Sequence, residues 1–306
     1  MSDYFNNEEF PMVSICTPTF NRRPFIPALI ECVVNQTYPA NRIEWIIVDD
    51  GTDPVEDLFA DVSIAIYMGY REKITLGKKR NITNDMCTGS IIIYMDDDDY
   101  YPPTRVSHAV ETLRNNPMSL IAGCLKLPIY SHSSGNVYLS GPYGDNRITA
   151  ATFAFRRELF EQTRFCETDC ISEEREFLKD YTIPSVELDP SKTILVMSHS
   201  QNTIDKEDIL SKSNKYITKS SLTASDFIQH PSLFDFYIIK LPDLLDAYEL
   251  GSVKHKHEEV LCMKDAQIKR MYTKLRQVVM ENDRLKTLNE NLKKMAFAAI
   301  TTKNNK

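Results

Sequence analysis

Residues 91–103 read IIIYMDDDDYYPP. The three isoleucines and the Tyr-Met pair have the composition of a strand buried on both faces. They run directly into Asp96, Asp97, Asp98 and Asp99. Adjacent carboxylates resist ionising together, so such a cluster at a strand end calls for a compensating charge. A hard divalent cation provides one, because Mg2+ and Mn2+ select oxygen ligands and complete their shells with phosphate oxygens. In extended chain, residues i and i+2 point the same way. That spacing predicts Asp96 and Asp98 facing one ion, with Asp97 and Asp99 facing elsewhere. A solvated acidic loop, or a charge cluster ahead of a helix starting near Thr104 and Arg105, would use the same residues without a ligand.

Outward from this stretch, residues 12–126 alternate short apolar runs with amphipathic ones. Strands are predicted at 12–17, 44–49, 62–68, 90–96 and 118–127, with helical spacing in FIPALIECVVNQ and GKKRNITNDMCTG. Strands alternating with helices indicate an α/β fold built on a mostly parallel sheet with flanking helices. In such sheets ligands bind beyond the carboxyl ends of the strands. Three motifs fall there: TPTFNR after the first strand, DDGTD after the second and DDDDYYPP after the fourth. They should converge on one rim. Residues 128–155 predict a hairpin and a further strand, SEEREFLKDY a helix, and TILVMSHS another strand, whereas 203–250 mix helical and loop character.

The pattern changes near residue 252. Leu261, Ile268, Leu275, Asn282 and Asn289 recur every seven residues, and Met271, Val278, Leu285 and Leu292 form the companion row. This is a coiled-coil register with Asn at two core positions, a device that selects register and low oligomer order. An amphipathic helix packed on its own domain is the simpler alternative. The expected organisation is a catalytic-type α/β domain over 1–202, a helical and loop extension over 203–251, an oligomerising helix over 252–298 and a disordered tail over 299–306. The expected assembly is a homodimer or other low-order homo-oligomer.

The 306-residue chain has a formal net charge of −7, unevenly spread. Residues 251–306 hold 13 Lys and Arg against 6 Asp and Glu, a net of +7, so residues 1–250 carry −14. An acidic body is a poor generic nucleic-acid binder, and no nucleic-acid partner is expected. The seven cysteines are scattered without metal-ligand spacing, which indicates reduced thiols. The N-terminal residues lack a signal-peptide pattern and no apolar run reaches membrane-spanning length, so a soluble cytoplasmic protein is expected.

In their order and spacing, VSICTPTFNR, WIIVDDGTD and GKKRNITNDMCTGSIIIYMDDDDYYPPTR resemble the family 2 glycosyltransferases of the GT-A fold. The resemblance covers roughly residues 12–202. It implies a nucleoside-diphosphate-sugar donor, with a UDP-sugar favoured, and a Mn2+ or Mg2+ ion held by a D-x-D motif. By position it places Thr17 and Pro18 against the nucleotide, Asp50 on the base and Arg80 beside the phosphates. Asp96 and Asp98 match the metal-binding ends of D-x-D, and Asp97 between them joins the donor-binding set. Inverting members use a carboxylate base on a later helix; Glu174 takes that position, with Glu173 as the alternate. Here the usual Glu-Asp pair is Glu-Glu. His199 resembles the first residue of a His-x-x-Asn element that approaches the metal or diphosphate. The acceptor would be a glycan or other hydroxyl compound.

Plainer roles exist for each residue. Asp50 can serve the DDGT turn, Arg80 can be a helix-surface charge, and the glutamates can be first-turn acids behind Ser172. A lone histidine is often structural. Rival enzyme classes fit less well. A sugar nucleotidyltransferase normally carries a Gly-rich loop near the first strand, which TPTFNRRP lacks; Tyr100 breaks the D-x-D-x-[TV] of aspartyl phosphatases; and GKKR is no P-loop. The non-enzymatic rival is a coiled-coil assembly protein that binds a nucleotide sugar without turning it over.

Overall fold

In the computed structural model, residues 10–168, 174–202, 205–212, 214–248, 268, 272–273 and 275–294 are described. Met1–His257 and Glu258–Lys306 form two compact units.

The first unit holds eleven described strands: β1 (Val13–Thr19), β2 (Ile43–Asp49), β3 (Ala65–Gly69), β4 (Ile91–Tyr94), β5 (Ile121–Gly123), β6 (Leu127–Ser131), β7 (Asn136–Ser140), β8 (Ala154–Arg156), β9 (Ser185–Glu187), β10 (Val196–Ser198) and β11 (Ile217–Lys219). The main sheet runs β3-β2-β1-β4-β8-β5-β9, and a smaller sheet runs β10-β6-β7-β11. β1 pairs in parallel with both β2 and β4, and β2 with β3. All four therefore end at one rim, as the alternating pattern predicts. β8 enters antiparallel between β4 and β5, so the sheet is mixed rather than uniformly parallel.

Every residue of β1, β2 and β4 is buried, which accounts for their unbroken apolar runs. Helices cover the sheet through matching stripes. α1 (Ile26–Val34) opens with proline in its first turn and buries Ile26, Leu29 and Val33, while α3 (Arg105–Asn115) buries Val106, Ala109, Val110 and Leu113. Between them in sequence, α2 (Leu76–Met86) is capped by Thr75, whose hydroxyl accepts from the Lys78 N–H. Because β3 ends at the rim, α2 starts there, and its first turns carry Lys79 and Arg80 back to the motif loops.

A buried carboxylate fixes the strand register. Glu44 accepts from the Ser14 hydroxyl at 2.5 Å, the Thr88 hydroxyl at 2.8 Å and the Gly89 N–H at 3.1 Å. It ties β1, β2 and the entry to β4 together at the end opposite the motifs.

Two sequence expectations need correction. The strand predicted over 118–127 is divided between β5 and β6, which lie in different sheets. Gly123 ends β5 where a Cβ would come within 2.8 Å of the Ile148 side chain, and the chain bends before Leu127. The helix predicted over SEEREFLKDY, residues 172–181, is described only as a short α5 (Glu174–Phe177), which follows a separate α4 (Arg157–Gln162). Lys179, Asp180 and Tyr181 adopt φ values of 50°, 57° and 63°, a left-handed run that stops α5.

In the second unit, residues 275–294 are helical. Leu275, Val278, Leu285 and Leu292 are each more than half exposed. Ile268, Asn282 and Asn289 are also exposed, whereas Leu261 and Met271, the two remaining seam positions, lie outside the described residues. Among the described residues no helix is long and apolar enough to cross a membrane.

Candidate active site

The three motif loops meet at the rim. Asn21, in left-handed conformation with φ of 51°, turns the chain after β1. Its side-chain oxygen accepts from the Thr52 N–H at 2.8 Å and the Asp53 N–H at 3.1 Å, joining TPTFNR to DDGTD. Asp49 closes the same turn by accepting from the Gly51 N–H at 2.8 Å.

Thr17 and Pro18 are buried within β1. The Thr17 hydroxyl donates to the Met95 carbonyl at 2.7 Å and accepts from the Trp45 indole at 2.9 Å. It therefore fastens the start of the acidic turn to the sheet, and its side chain is fully occupied. Asp50 is also sealed. One oxygen accepts from the Ile74 N–H at 2.8 Å and the other from the Lys79 ammonium. Lys79 donates a further bond to the Thr19 carbonyl at 2.8 Å, and burial lowers its pKa against the pull of Asp50.

The aspartate row departs from simple alternation. The strand ends at Tyr94, and Asp97 and Asp98 form a turn, so the i, i+2 rule of extended chain does not govern them. Asp96 faces Arg80, whose two terminal nitrogens reach its two oxygens at 3.2 and 3.3 Å while the guanidinium lies 4.6 Å from the Tyr94 ring centroid. The Asp96 N–H donates to the Tyr101 hydroxyl at 2.6 Å. Asp97 and Asp98 share Arg22 instead, at 3.5 and 3.7 Å. Asp99 turns inward and accepts from the Met197 N–H at 3.0 Å, binding the row to β10.

Their electrostatics differ accordingly. Burial pushes the Asp97 carboxyl up to about 7, opposed by Arg22 and reinforced by Asp98. Burial likewise raises Asp99 well above the usual range, with Asp98 adding to it. Asp98 goes the other way: burial opposes ionisation, but the His199 hydrogen bond and the Arg22 charge hold it far below the ordinary value.

His199 supports Asp98 from β10's end. Its Nδ1 accepts from the Gln201 N–H at 3.2 Å, and its Nε2 lies 3.1 Å from Asp98 Oδ2 and 2.7 Å from Asn202 Nδ2. Burial lowers the His199 pKa to about 4, in keeping with a neutral ring. Asn202 donates to the same Asp98 oxygen at 3.4 Å, and its side-chain oxygen accepts from the His199 backbone N–H at 2.8 Å. The His-x-x-Asn element thus acts as one unit around Asp98.

Glu174 opens α5, with its side chain half-buried. An aromatic stack seats that helix: Phe177 lies 4.2 Å from Phe165 between ring centroids and packs on Phe153, which stacks on Tyr94 of β4. Glu173 lies outside the described residues. Past His199, a cavity of about 360 Å³ is lined by His132, Ser133, Asp205, Glu207, Leu245 and Asp246. His132 has Nδ1 2.7 Å from the Ser198 carbonyl and Nε2 2.8 Å from the Tyr237 carbonyl, pinning the β6–β7 hairpin beside it.

The sequence reading singled out neither Arg22 nor Lys79. Arg22 stood inside a quoted motif and Lys79 beside Arg80, yet nothing local told which carboxylates, 75 and 29 residues away, they would meet. Among the described residues no group of three or more His, Cys, Asp or Glu is arranged to hold a metal. The donor chemistry nevertheless suits a hard cation: Asp97 and Asp98 offer carboxylate oxygens on one turn, and a guanidinium already lies against both.

The glycosyl transferase family 2 model matches residues 14–182. The chain is similar to an uncharacterized glycosyltransferase of Haemophilus influenzae, 29% identical over 108 residues, which is 35% of this chain and 36% of that protein. Its match therefore spans about a third of that relative's length. In fold it is similar to a mannosyltransferase from Pyrobaculum calidifontis solved with GDP-Man and Mn2+, with a TM-score of 0.51 and 16% identity, over 86% of this chain and 83% of that one. It is likewise similar to S. aureus TarS 1-349 solved with UDP, at a TM-score of 0.50 and 17% identity over 65% of this chain and 63% of that one. The mixed, parallel-rich sheet agrees with these folds, and the matched region takes in β1 to β4, all three rim loops and the Glu174 helix. The protein belongs to glycosyl transferase family 2.

Proposed function

We propose that the protein transfers a sugar from a nucleoside-diphosphate sugar, a UDP-sugar by preference, to an acceptor hydroxyl with inversion at the anomeric carbon. The observation that carries this reading is the Asp97–Asp98 turn at the carboxyl rim, backed by His199 and countered by a guanidinium. Asp98, with Asp97 beside it, is the ligand pair we assign to Mn2+ or Mg2+; Asp96 stays with Arg80, and His199 orients Asp98. When bound there, a divalent ion supplies neutralising charge for a leaving diphosphate. Asp50 and the buried Pro18 segment form the base side of the donor site, with Arg80 on the phosphate side.

Glu174 is our choice for the general base. A carboxylate there removes the proton from the acceptor hydroxyl as its oxygen attacks, and a single displacement inverts the centre. The acceptor enters from the cavity past His199, where Asp205, Glu207 and Asp246 offer hydrogen-bond acceptors to a hydroxyl-rich molecule and Leu245 an apolar face. The exposed leucine and valine stripe of residues 275–294 suits a second copy of this chain, with Asn282 and Asn289 setting the register. The free thiols of Cys16, Cys32, Cys87, Cys124 and Cys166 suit the cytoplasm.

The test is a panel of nucleotide sugars scored for release of nucleoside diphosphate with and without Mn2+. One donor should be hydrolysed in a metal-dependent manner, and Glu174→Gln should abolish turnover while keeping nucleotide binding. Metal-dependent binding of a donor with no turnover under any acceptor would favour the non-catalytic assembly protein.

A further inference from the structure

Arg22 and Arg23 are neighbours with opposite attachments. Arg23 is clamped: its Nε lies 3.0 Å from Asp53, its Nη2 2.9 Å from Asp57, and both carboxylates are met squarely. Arg22 is held loosely. Its distances to Asp97 and Asp98, 3.5 and 3.7 Å, exceed those of direct N–H···O bonds. Its one close bond goes to a neutral acceptor, the Gln201 carbonyl at 2.9 Å, and its guanidinium carbon stands 5.8 Å from the Phe25 ring. The backbone beneath it is fixed, because the Asn21 side chain is bonded to the Thr52 and Asp53 N–H groups. Among the described residues, the guanidinium is tied by a direct hydrogen bond only to the Gln201 carbonyl.

We propose that Arg22 is a placeholder cation: it neutralises Asp97 and Asp98 while the site is empty and yields them to a divalent ion as the nucleotide sugar arrives. This rests on the reading that the two carboxylates hold a metal. Two cations cannot share the gap, since like charges a few ångströms apart in a buried site repel strongly. A metal alone must therefore displace Arg22 into a position where it has lost its counter-charges. A diphosphate supplies new ones, and five N–H donors are well suited to phosphate oxygens. Metal and nucleotide should then each tighten the other's binding, with Arg22 as the coupling element.

The test measures Mn2+ binding by electron paramagnetic resonance, without nucleotide and with saturating UDP, in the wild type, Arg22→Gln and Arg22→Lys. Arg22→Gln should bind Mn2+ about tenfold more tightly than wild type without UDP, and UDP should then enhance its affinity far less. Arg22→Lys, which keeps the charge, should remain close to wild type. If the wild type binds Mn2+ and Arg22→Gln binds it no more tightly, the placeholder role is wrong while the metal site stands. Equal tightening by both variants would trace the effect to loosened packing and also overturn the role. If the wild type binds no Mn2+ even with UDP, the metal reading itself falls, and this inference with it.

Discussion

Lys79 and Asp50 form an ion pair sealed inside the rim, with 6% and 0% of their side chains exposed. The pair spans α2 and the β2 loop, and Lys79 also reaches the β1 loop through the Thr19 carbonyl. It thus crosslinks the segments assigned to the base. The Asp50 carboxylate reaches a ligand only if this arrangement opens.

Replacing one partner strands the other's charge in a dry site. Lys79→Met should cost about 3–5 kcal/mol of stability, and adding Asp50→Asn should recover part of the loss rather than double it. Urea unfolding of the single and double variants checks this. Full additivity would mean that the two charges do not interact.

Glu44 should set part of the acid sensitivity. Burial raises its pKa, but the bonds from Ser14, Thr88 and Gly89 outweigh that and leave it below the ordinary 4.5. A group depressed on folding stabilises fully above its unfolded pKa, and that contribution is lost as pH falls through the folded value. Glu44→Gln should therefore cost about 1–3 kcal/mol at pH 7 and progressively less below about 4.5. Unfolding midpoints from pH 3 to pH 7, roughly the range that brackets the transition, give the measurement.

Adjacent aspartates should behave differently. Burial raises the Asp99 carboxyl well above its usual range, and it accepts from the Met197 N–H, a role an amide oxygen can fill. Asp99→Asn should stay within about 1 kcal/mol of wild type and keep donor hydrolysis. Asp98→Asn should keep the fold and lose about 100-fold or more of that hydrolysis. Similar losses from both would contradict the division of labour along the row.

The exposed stripe on residues 275–294 should govern assembly. Val278→Asp with Leu285→Asp should convert an oligomer into a 35.2 kDa monomer while donor hydrolysis is unchanged. Light scattering after size exclusion decides it, and a monomeric wild type would remove the assembly proposal.

What the sequence made legible was the local part. Runs of apolar residues gave β1, β2 and β4, and the placement of TPTFNR, DDGTD and the aspartates after them gave the rim. The pairings were not legible. Arg22 meets Asp97, and Thr17 fastens Met95, through contacts separated by 75 and 78 residues that no local pattern encodes. The alternation expected for Asp96 and Asp98 failed for a related reason: it assumes extended backbone, and the strand stops at Tyr94, before the row turns at Asp97. β5 and β6 were read as one strand because apolar composition does not reveal that Gly123 must fit against Ile148.

Each member of the aspartate row already has a partner from the chain: Arg80 for Asp96, Arg22 for Asp97 and Asp98, and the Met197 N–H for Asp99. The acidic turn is consequently charge-compensated by the chain itself and does not depend on an ion to close. If the proposed divalent ion binds there, stripping it should idle the protein without unfolding it, and restoring it should bring activity back.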